Sequence, residues 1–139
     1  MISTTMGGFK DIIAYKKAFE LSTRIFKLSK RFPKEEMYSL TDQVRRSSRS
    51  VTAQLAEGYR KRRYPLSFIA KVVDADGENA ETQVWLDHAV ACEYVTQADI
   101  DPLVALSEEV GRLLADMVND PPKYGAFERE PRSSKRITR

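Results

Sequence analysis

Gln43–Arg63 reads QVRRSSRSVTAQLAEGYRKRR, with six arginines and one lysine against a single glutamate. Its apolar positions decide the fold. With Leu40 in front, Val44, Ser48, Val51, Leu55 and Gly58 follow at steps of three and four, which is one stripe of an α-helix. On a wheel at about 100° per residue, Arg45, Arg49, Arg60 and Arg63 fall about 100–160° from Val44, and Arg46 and Glu57 lie at about 200–220°. The helix therefore has a narrow apolar seam containing small residues, a basic face, and one arginine set apart from that face.

The helical period continues on both sides. Ile12, Tyr15, Phe19, Ile25 or Phe26, Leu28 and Phe32 predict a first helix over about 9–32. Phe32-Pro33 ends it, because proline disfavours helical backbone at the residue before it. The second helix spans about 36–62. Tyr64-Pro65 breaks it and sets Pro65 in the first turn of a third helix, 65–95, roughly 45 Å long. That helix has two apolar stripes, one of Leu66, Ile69, Val73, Ala80, Val84 and Ala91, the other of Phe68, Val72, Ala75, Leu86 and Ala89. Two stripes imply more than one neighbour. Thr96, with Asp99 three residues on, opens a fourth helix over 97–119. Leu103, Leu106, Val110, Leu113, Leu114 and Met117 carry its period until Asn119–Pro122 stops it. No segment alternates as a strand does. The expected fold is all-α, an antiparallel up-down-up-down four-helix bundle over 9–120. Residues 1–8 are expected to be a flexible lead-in, and the basic, aperiodic residues 121–139 a disordered tail.

A length of 139 residues with 42% hydrophobic side chains suits one domain with a core. The single cysteine, Cys92, forbids an intrachain disulfide, which suits a reducing compartment. The start MISTTMGGFK lacks the apolar run of a signal peptide, and no stretch has the length of a membrane span. A cytoplasmic protein without a membrane association is expected. The net charge of +3 conceals an asymmetry. Residues 1–73 hold 16 basic and 6 acidic side chains, 74–120 hold 1 and 12, and 121–139 hold 6 and 2. Such separation favours association with a surface of opposite sign, including a second copy of the chain.

In a hairpin turning at residues 63–64, Arg46 faces Glu81, Arg49 faces Glu78, and Glu57 faces Lys71 or Ala70. Arg46, Glu57 and Glu81 are therefore candidates for a structural polar network, with forked Arg–carboxylate bonds. Arg45 and Arg49 remain open between a solvated face, a contact to another subunit and a nucleic-acid contact. Arg60, Lys61, Arg62 and Arg63 form a run of cations at a bundle end, flanked by Tyr59 and Tyr64. Such a run either neutralises phosphates, with tyrosines stacking on bases, or is a solvated helix end. Trp85 and Cys92 lie outside both stripes of the third helix and are candidates for a subunit interface. The alternative for Trp85 is packing against the fourth helix.

Several chemistries fail on spacing. Asp74-x-Asp76-x-Glu78 resembles a calcium loop, but positions six and twelve are Asn79 and Trp85. A di-metal bundle needs two Glu-x-x-His pairs, and the one histidine, His88, has Trp85 three residues before it. His88 and Cys92 have nucleophile–base spacing but read as ordinary helix neighbours. No phosphate loop or dinucleotide fingerprint occurs. Neither an enzyme nor a cofactor or metal site is expected.

Motifs occurring in order carry a resemblance. They are Phe9-Lys10-Asp11-Ile12 with Tyr15-Lys16-x-Ala18, then Phe32-Pro33 with Glu35 or Glu36, then Tyr38-x-Leu40-Thr41-x-Gln43-Val44-Arg45-Arg46-Ser47. Ser50-Val51-x-x-Gln54-Leu55-Ala56-Glu57-Gly58 follows, with Arg60 or Arg62 beyond, and then Glu81-x-x-x-Trp85-Leu86-x-x-Ala89 with Tyr94-Val95. Over about residues 9–118 the chain resembles the bacterial four helix bundle protein family, also called the ribosomal RNA intervening-sequence protein family. It departs at Gln54, where the family usually has asparagine, and the basic tail lies outside the family pattern. The resemblance implies an antiparallel bundle that assembles as a homo-oligomeric ring, often a pentamer. A similar bundle, the accessory protein of diversity-generating retroelements, is a basic pentameric barrel that partners a reverse transcriptase and binds nucleic acid. The expected function is non-enzymatic nucleic-acid binding, RNA or DNA, through Arg45, Arg49, Arg60, Lys61, Arg62 and Arg63. The alternative is a protein scaffold or accessory factor whose charges serve ring assembly.

Overall fold

Four helices account for most of residues 8–129, the part of the chain that this computed structural model describes. They are α1 (Ile13–Ser29), α2 (Leu40–Arg60), α3 (Pro65–Ala91) and α4 (Gln97–Asn119), and there is no strand among the described residues. The lead-in expected at 1–7 and the chain beyond 129 lie outside the described residues.

Three of the helices are shorter than their periodicity predicts, and local backbone explains each end. Ile12 is extended (ψ 130°) and separates α1 from a 3-10 turn at Phe9–Asp11. Before α2, Lys34–Glu36 forms another 3-10 turn. The Glu36 carboxylate then accepts the Leu40 N–H at 3.1 Å and the Ser39 hydroxyl at 2.6 Å, so an acid caps α2 where its dipole is positive. After α3, Glu93 adopts a left-handed backbone (φ 65°). The Tyr94 N–H reaches the Ala89 carbonyl and the Glu93 N–H the Val90 carbonyl, both at 2.9 Å, the closure of a Schellman motif. In α4, Thr96 accepts the Asp99 N–H at 3.1 Å and Asp99 accepts the Thr96 N–H at 2.9 Å, a reciprocal capping box.

α2 packs on α1 and α3, and α4 on α1 and α3, which makes a four-helix bundle. Across α2 and α3, Arg46 meets Glu81, Ser47 meets Thr82, and Glu57 meets Lys71. Numbers rise along one helix as they fall along the other. Lys17–Glu109 and Arg31–Asp99 show the same inverse order between α1 and α4.

The core has two apolar halves. One centres on Val51, Leu55, Phe68, Val72, Val110 and Leu114, the other on Leu21, Ile25, Val44, Leu86, Ile100 and Leu103. Between them lies a buried polar belt. Ser47 and Thr82 share a hydrogen bond of 2.8 Å. Asn79 donates to the Ser107 carbonyl and accepts from the Ser107 hydroxyl, each at 2.9 Å. Gln83 donates to the same hydroxyl at 2.8 Å. Asn79 turns inward from α3 to meet α4.

On α1 the face differs from the prediction. Ala14, Ala18, Leu21, Ser22, Ile25 and Ser29 are buried, whereas Phe19 is 55% exposed. Small residues let α1 approach its neighbours, and the aromatic residues Tyr15 and Phe19 stack in a tilted pair with ring centroids 6.0 Å apart. α2 approaches α3 closely at Gly58, where a Cβ would sit 3.1 Å from Lys71 Cβ. Over residues 121–129 the expected disorder is not found: Pro121–Tyr124 forms a 3-10 turn and Ala126 is buried in the core. Side-chain anchors hold this aperiodic stretch, so no hydrophobic period announces it.

Candidate nucleic-acid interface

The basic run follows the end of α2. Lys61 leaves helical geometry (φ −104°, ψ 16°), and the turn closes through Lys61 N–H to Gly58 O and Tyr64 N–H to Lys61 O, each at 2.9 Å. Pro65 then opens α3. The four cations consequently have different surroundings. Arg60, Lys61 and Arg63 are exposed. Among the described residues the side chains of Lys61 and Arg63 have neither a hydrogen bond nor an ion pair, and the Arg60 guanidinium lies 6.0 Å from the Phe9 ring centroid.

Arg62 points inward and departs from the expected surface cluster. It sits 3.6 Å over the Tyr59 ring, donates from Nε to the Tyr59 carbonyl at 2.9 Å, and donates from Nη1 to the Tyr124 carbonyl at 3.3 Å. It clamps the C-terminal turn to the end of α2. Gly125 completes the clamp: its φ of 83° is left-handed, and a Cβ there would lie 2.6 Å from Arg62 Nη1. Below the turn, Asp116 accepts from Lys123 Nζ at 2.8 Å and from the Tyr124 hydroxyl at 2.5 Å. Those bonds, Lys123 first, hold Asp116 below the usual carboxylate range, and burial followed by Asp116 pushes Tyr124 up to about 12.

Tyr59, Arg60, Arg62, Arg63 and Arg129 line one hollow of about 350 Å³. Arg129 itself is steered by the Gly125 carbonyl (3.2 Å) and the Phe127 carbonyl (3.4 Å) and lies 4.5 Å over the Phe127 ring. Sequence reasoning missed Arg129 because it fell in the stretch assigned to a disordered tail.

Arg45 and Arg49 meet α1. Both lie over the Phe26 ring, at 4.7 and 5.6 Å, with Lys30 at 4.8 Å. Arg45 also donates to the Ser29 hydroxyl at 2.7 Å and is half-buried, whereas Arg49 is exposed. An intramolecular seat on Phe26 was not among the readings of these arginines. Cation–π contacts of this kind contribute about 0.5–1 kcal/mol each and leave the outward N–H groups available.

The remaining candidates are structural or peripheral. Arg46 bonds Glu81 at 2.9 Å and Gln43 at 3.0 Å, with Glu78 at 3.8 Å. Glu57 stands apart from that group and pairs with Lys71 at 2.6 Å; the bond lowers the Glu57 pKa and raises that of Lys71. Trp85 donates to Glu81 at 3.0 Å, packs against the core half that includes Ile100, Leu103 and Leu106, and lines a cleft with Tyr38, Leu40 and Gln43 at the start of α2. Cys92 is exposed at the rim of that cleft. Among the described residues no cluster of three or more His, Cys, Asp or Glu side chains is arranged to hold a metal ion. No described helix is long and apolar enough to cross a membrane.

The profile of a family described as 23S rRNA-intervening sequence protein matches residues 10–116. This chain belongs to that family. A solved structure similar to this intervening-sequence protein is a protein of unknown function from the S23 ribosomal protein family of Bacteroides thetaiotaomicron. The two are 26% identical with a TM-score of 0.70, over 76% of this chain and 98% of the other. No curated protein matches the chain. The intervening-sequence match takes in Phe26, the α2 arginines and the basic turn, whereas Tyr124, Gly125 and Arg129 lie beyond it. The C-terminal wall of the hollow is thus outside the segment by which the family is recognised.

Proposed function

We propose that this protein is a non-enzymatic, cytoplasmic bundle of antiparallel helices, up-down-up-down, that assembles into a homo-oligomeric ring and binds RNA or DNA through a basic surface. The imbalance of charge where α2 passes into α3 carries this reading. Arg60, Lys61 and Arg63 are exposed there, and among the described residues no carboxylate lines the adjoining hollow. Such cations neutralise phosphates and release counterions, and the exposed Tyr64 offers a ring for a base. Arg49, with Arg45 beneath it, extends the basic surface along α2. Arg62 serves by holding the turn. Fluorescence anisotropy of labelled structured RNA and duplex DNA across a salt series tests this. Binding that weakens steeply with salt supports it, and no binding at low salt contradicts it.

A protein scaffold is the second reading, favoured by the outer face of α3. Leu66, Ala70, Val73, Gly77, Ala80, Val84 and Ala91 recur at heptad-like spacing and are all exposed, Leu66 by 83%. Spacing near 3.5 residues with small side chains suits a second helix in close contact. A second copy of the chain is the natural occupant, given the resemblance to ring-forming bundles. Light scattering distinguishes the two uses of the surface. If Val73→Glu with Val84→Glu dissociates the assembly, α3 is the subunit contact, and the arginines remain free for nucleic acid.

A further inference from the structure

The hollow at the α2–α3 end differs from a general basic surface in being a point of convergence. Four guanidiniums, those of Arg60, Arg62, Arg63 and Arg129, line about 350 Å³ together with Tyr59 and, among the described residues, without a carboxylate. Two of the four are preorganised. Arg62 is fixed by the Tyr59 and Tyr124 carbonyls, and Arg129 by the Gly125 and Phe127 carbonyls. Their bonds leave donors over: Nη2 of Arg62 and Nε of Arg129 are not engaged. Arg60 and Arg63 are exposed and supply two less constrained forks. Guanidinium presents paired donors to phosphate oxygens, and placing like charges together is unfavourable until an anion arrives.

A phosphodiester carries one charge per unit and is best followed by cations spread along a path. Such a path would run along α2, from the group of Arg45, Arg49 and Lys30 over Phe26 towards Arg60. Arg49 and Arg60 are separated by about 16 Å along the helix axis. A phosphate monoester instead concentrates a charge of about −1.5 to −2 and three acceptor oxygens at one point. Several forks around a single concavity fit that demand. Tyr59 and Arg62 also line a neighbouring cavity of about 720 Å³ whose walls include Ile12, Ile13 and Leu113 besides Asp11, Asp116 and Lys123, so whatever bears the phosphate meets a mostly apolar surface beside it.

We infer that the hollow formed by Arg60, Arg62, Arg63 and Arg129 is a binding site for a phosphate monoester. Its source is the terminal phosphate of a nucleic acid or a free phosphorylated small molecule. The first source rests on the nucleic-acid reading above; the second does not. The inference also assigns a role to the segment past residue 116, which delivers Arg129 and the carbonyls that orient it.

Two RNAs of one sequence, labelled at the 3′ end and carrying either a 5′-phosphate or a 5′-hydroxyl, are titrated at constant ionic strength. In parallel, adenosine 5′-monophosphate and adenosine are compared for thermal stabilisation of the protein. The expected result is binding of the phosphorylated RNA at least about tenfold tighter, the scale of one charge-assisted bond. Arg129→Ser and Arg63→Ser should each reduce that ratio. Stabilisation by the monophosphate and not by adenosine, lost in the same variants, identifies a free phosphate as a ligand, and stands even if neither RNA binds. Equal binding of the two RNAs together with no monophosphate effect overturns the inference, while leaving nucleic-acid binding intact.

Discussion

The two ends of the bundle use charge in opposite ways. At the end formed by Phe32–Ser39 and Tyr94–Asp99, the carboxylates of Glu36 and Asp99 are consumed by neighbours. Glu36 accepts from Ser39, Leu40 and Tyr94, and Asp99 caps α4 while bonding Arg31 at 3.0 Å. At the end formed by Tyr59–Tyr64 and Pro121–Arg129, Arg62, Lys123, Asp116 and Arg129 are tied into the fold, and Arg60, Lys61 and Arg63 project outward. Internally neutralised charge specifies helix ends. Charge left over specifies a partner. The overall balance of 23 basic and 20 acidic side chains conceals this difference, which depends on position.

The largest expected effect separates the ends by ligand. Changing Arg60, Lys61 and Arg63 together to serine should weaken RNA binding by about two orders of magnitude and lower the salt slope by roughly three, while stability moves by no more than about 0.5 kcal/mol. Arg31→Ser at the other end should leave the salt slope unchanged. Anisotropy and denaturant melts check both. Next is the clamp: Arg62→Ala leaves the Tyr124 carbonyl without its donor and should destabilise the fold by about 1–3 kcal/mol, loosening Pro121–Ala126 to proteolysis. Loss of RNA binding without loss of stability in that variant would make Arg62 a ligand contact alone and not a clamp.

The two left-handed residues offer a smaller, paired test. Gly125→Ala should cost about 1–2 kcal/mol, since φ is 83° and the new Cβ meets Arg62. Glu93→Gly should stabilise by up to about 1 kcal/mol, because Glu93 holds φ 65° with a side chain. Urea melts of both variants give the signs.

The smallest effect is on pH. Ser39, then Tyr94 and the Leu40 N–H, lower the Glu36 pKa, and the Thr96 N–H, then Arg31, lower that of Asp99. A carboxylate whose folded pKa is depressed adds stability above its unfolded value, and that stability is lost as pH falls through the folded pKa. Thermal stability should therefore be level near neutrality and decline below about pH 4. Glu36→Gln should be less stable at neutral pH and show a shallower decline.

The helical architecture was legible because a stripe of period 3.6 is a property of local sequence. Leu40, Val44, Ser48, Val51, Leu55 and Gly58 are all buried as that stripe predicts. Thr96 and Asp99 likewise announced the start of α4. α1 was less legible: its aromatic residues outweighed Ala14 and Ala18 in the pattern, although small residues are what a close helix contact needs. The site was half legible. The arginine run stood out by composition, but its division into a clamp and three outward cations depends on Tyr124 and Gly125, sixty-two and sixty-three residues after Arg62. Neither Arg129 nor the seat of Arg45 on Phe26 leaves a local signal, since both are tertiary contacts. The buried belt of Ser47, Thr82, Asn79 and Ser107 escaped for the same reason: polar residues on a helix read as solvent-facing until a partner is known.

The contrast between the ends is tested most directly by amide hydrogen exchange with and without saturating RNA. Slowed exchange at Tyr59–Tyr64 and around Gly125, with Phe32–Ser39 and Tyr94–Asp99 unchanged, is the result this account predicts. Protection at the Phe32–Ser39 end, or the same exchange everywhere when RNA is bound, would contradict it.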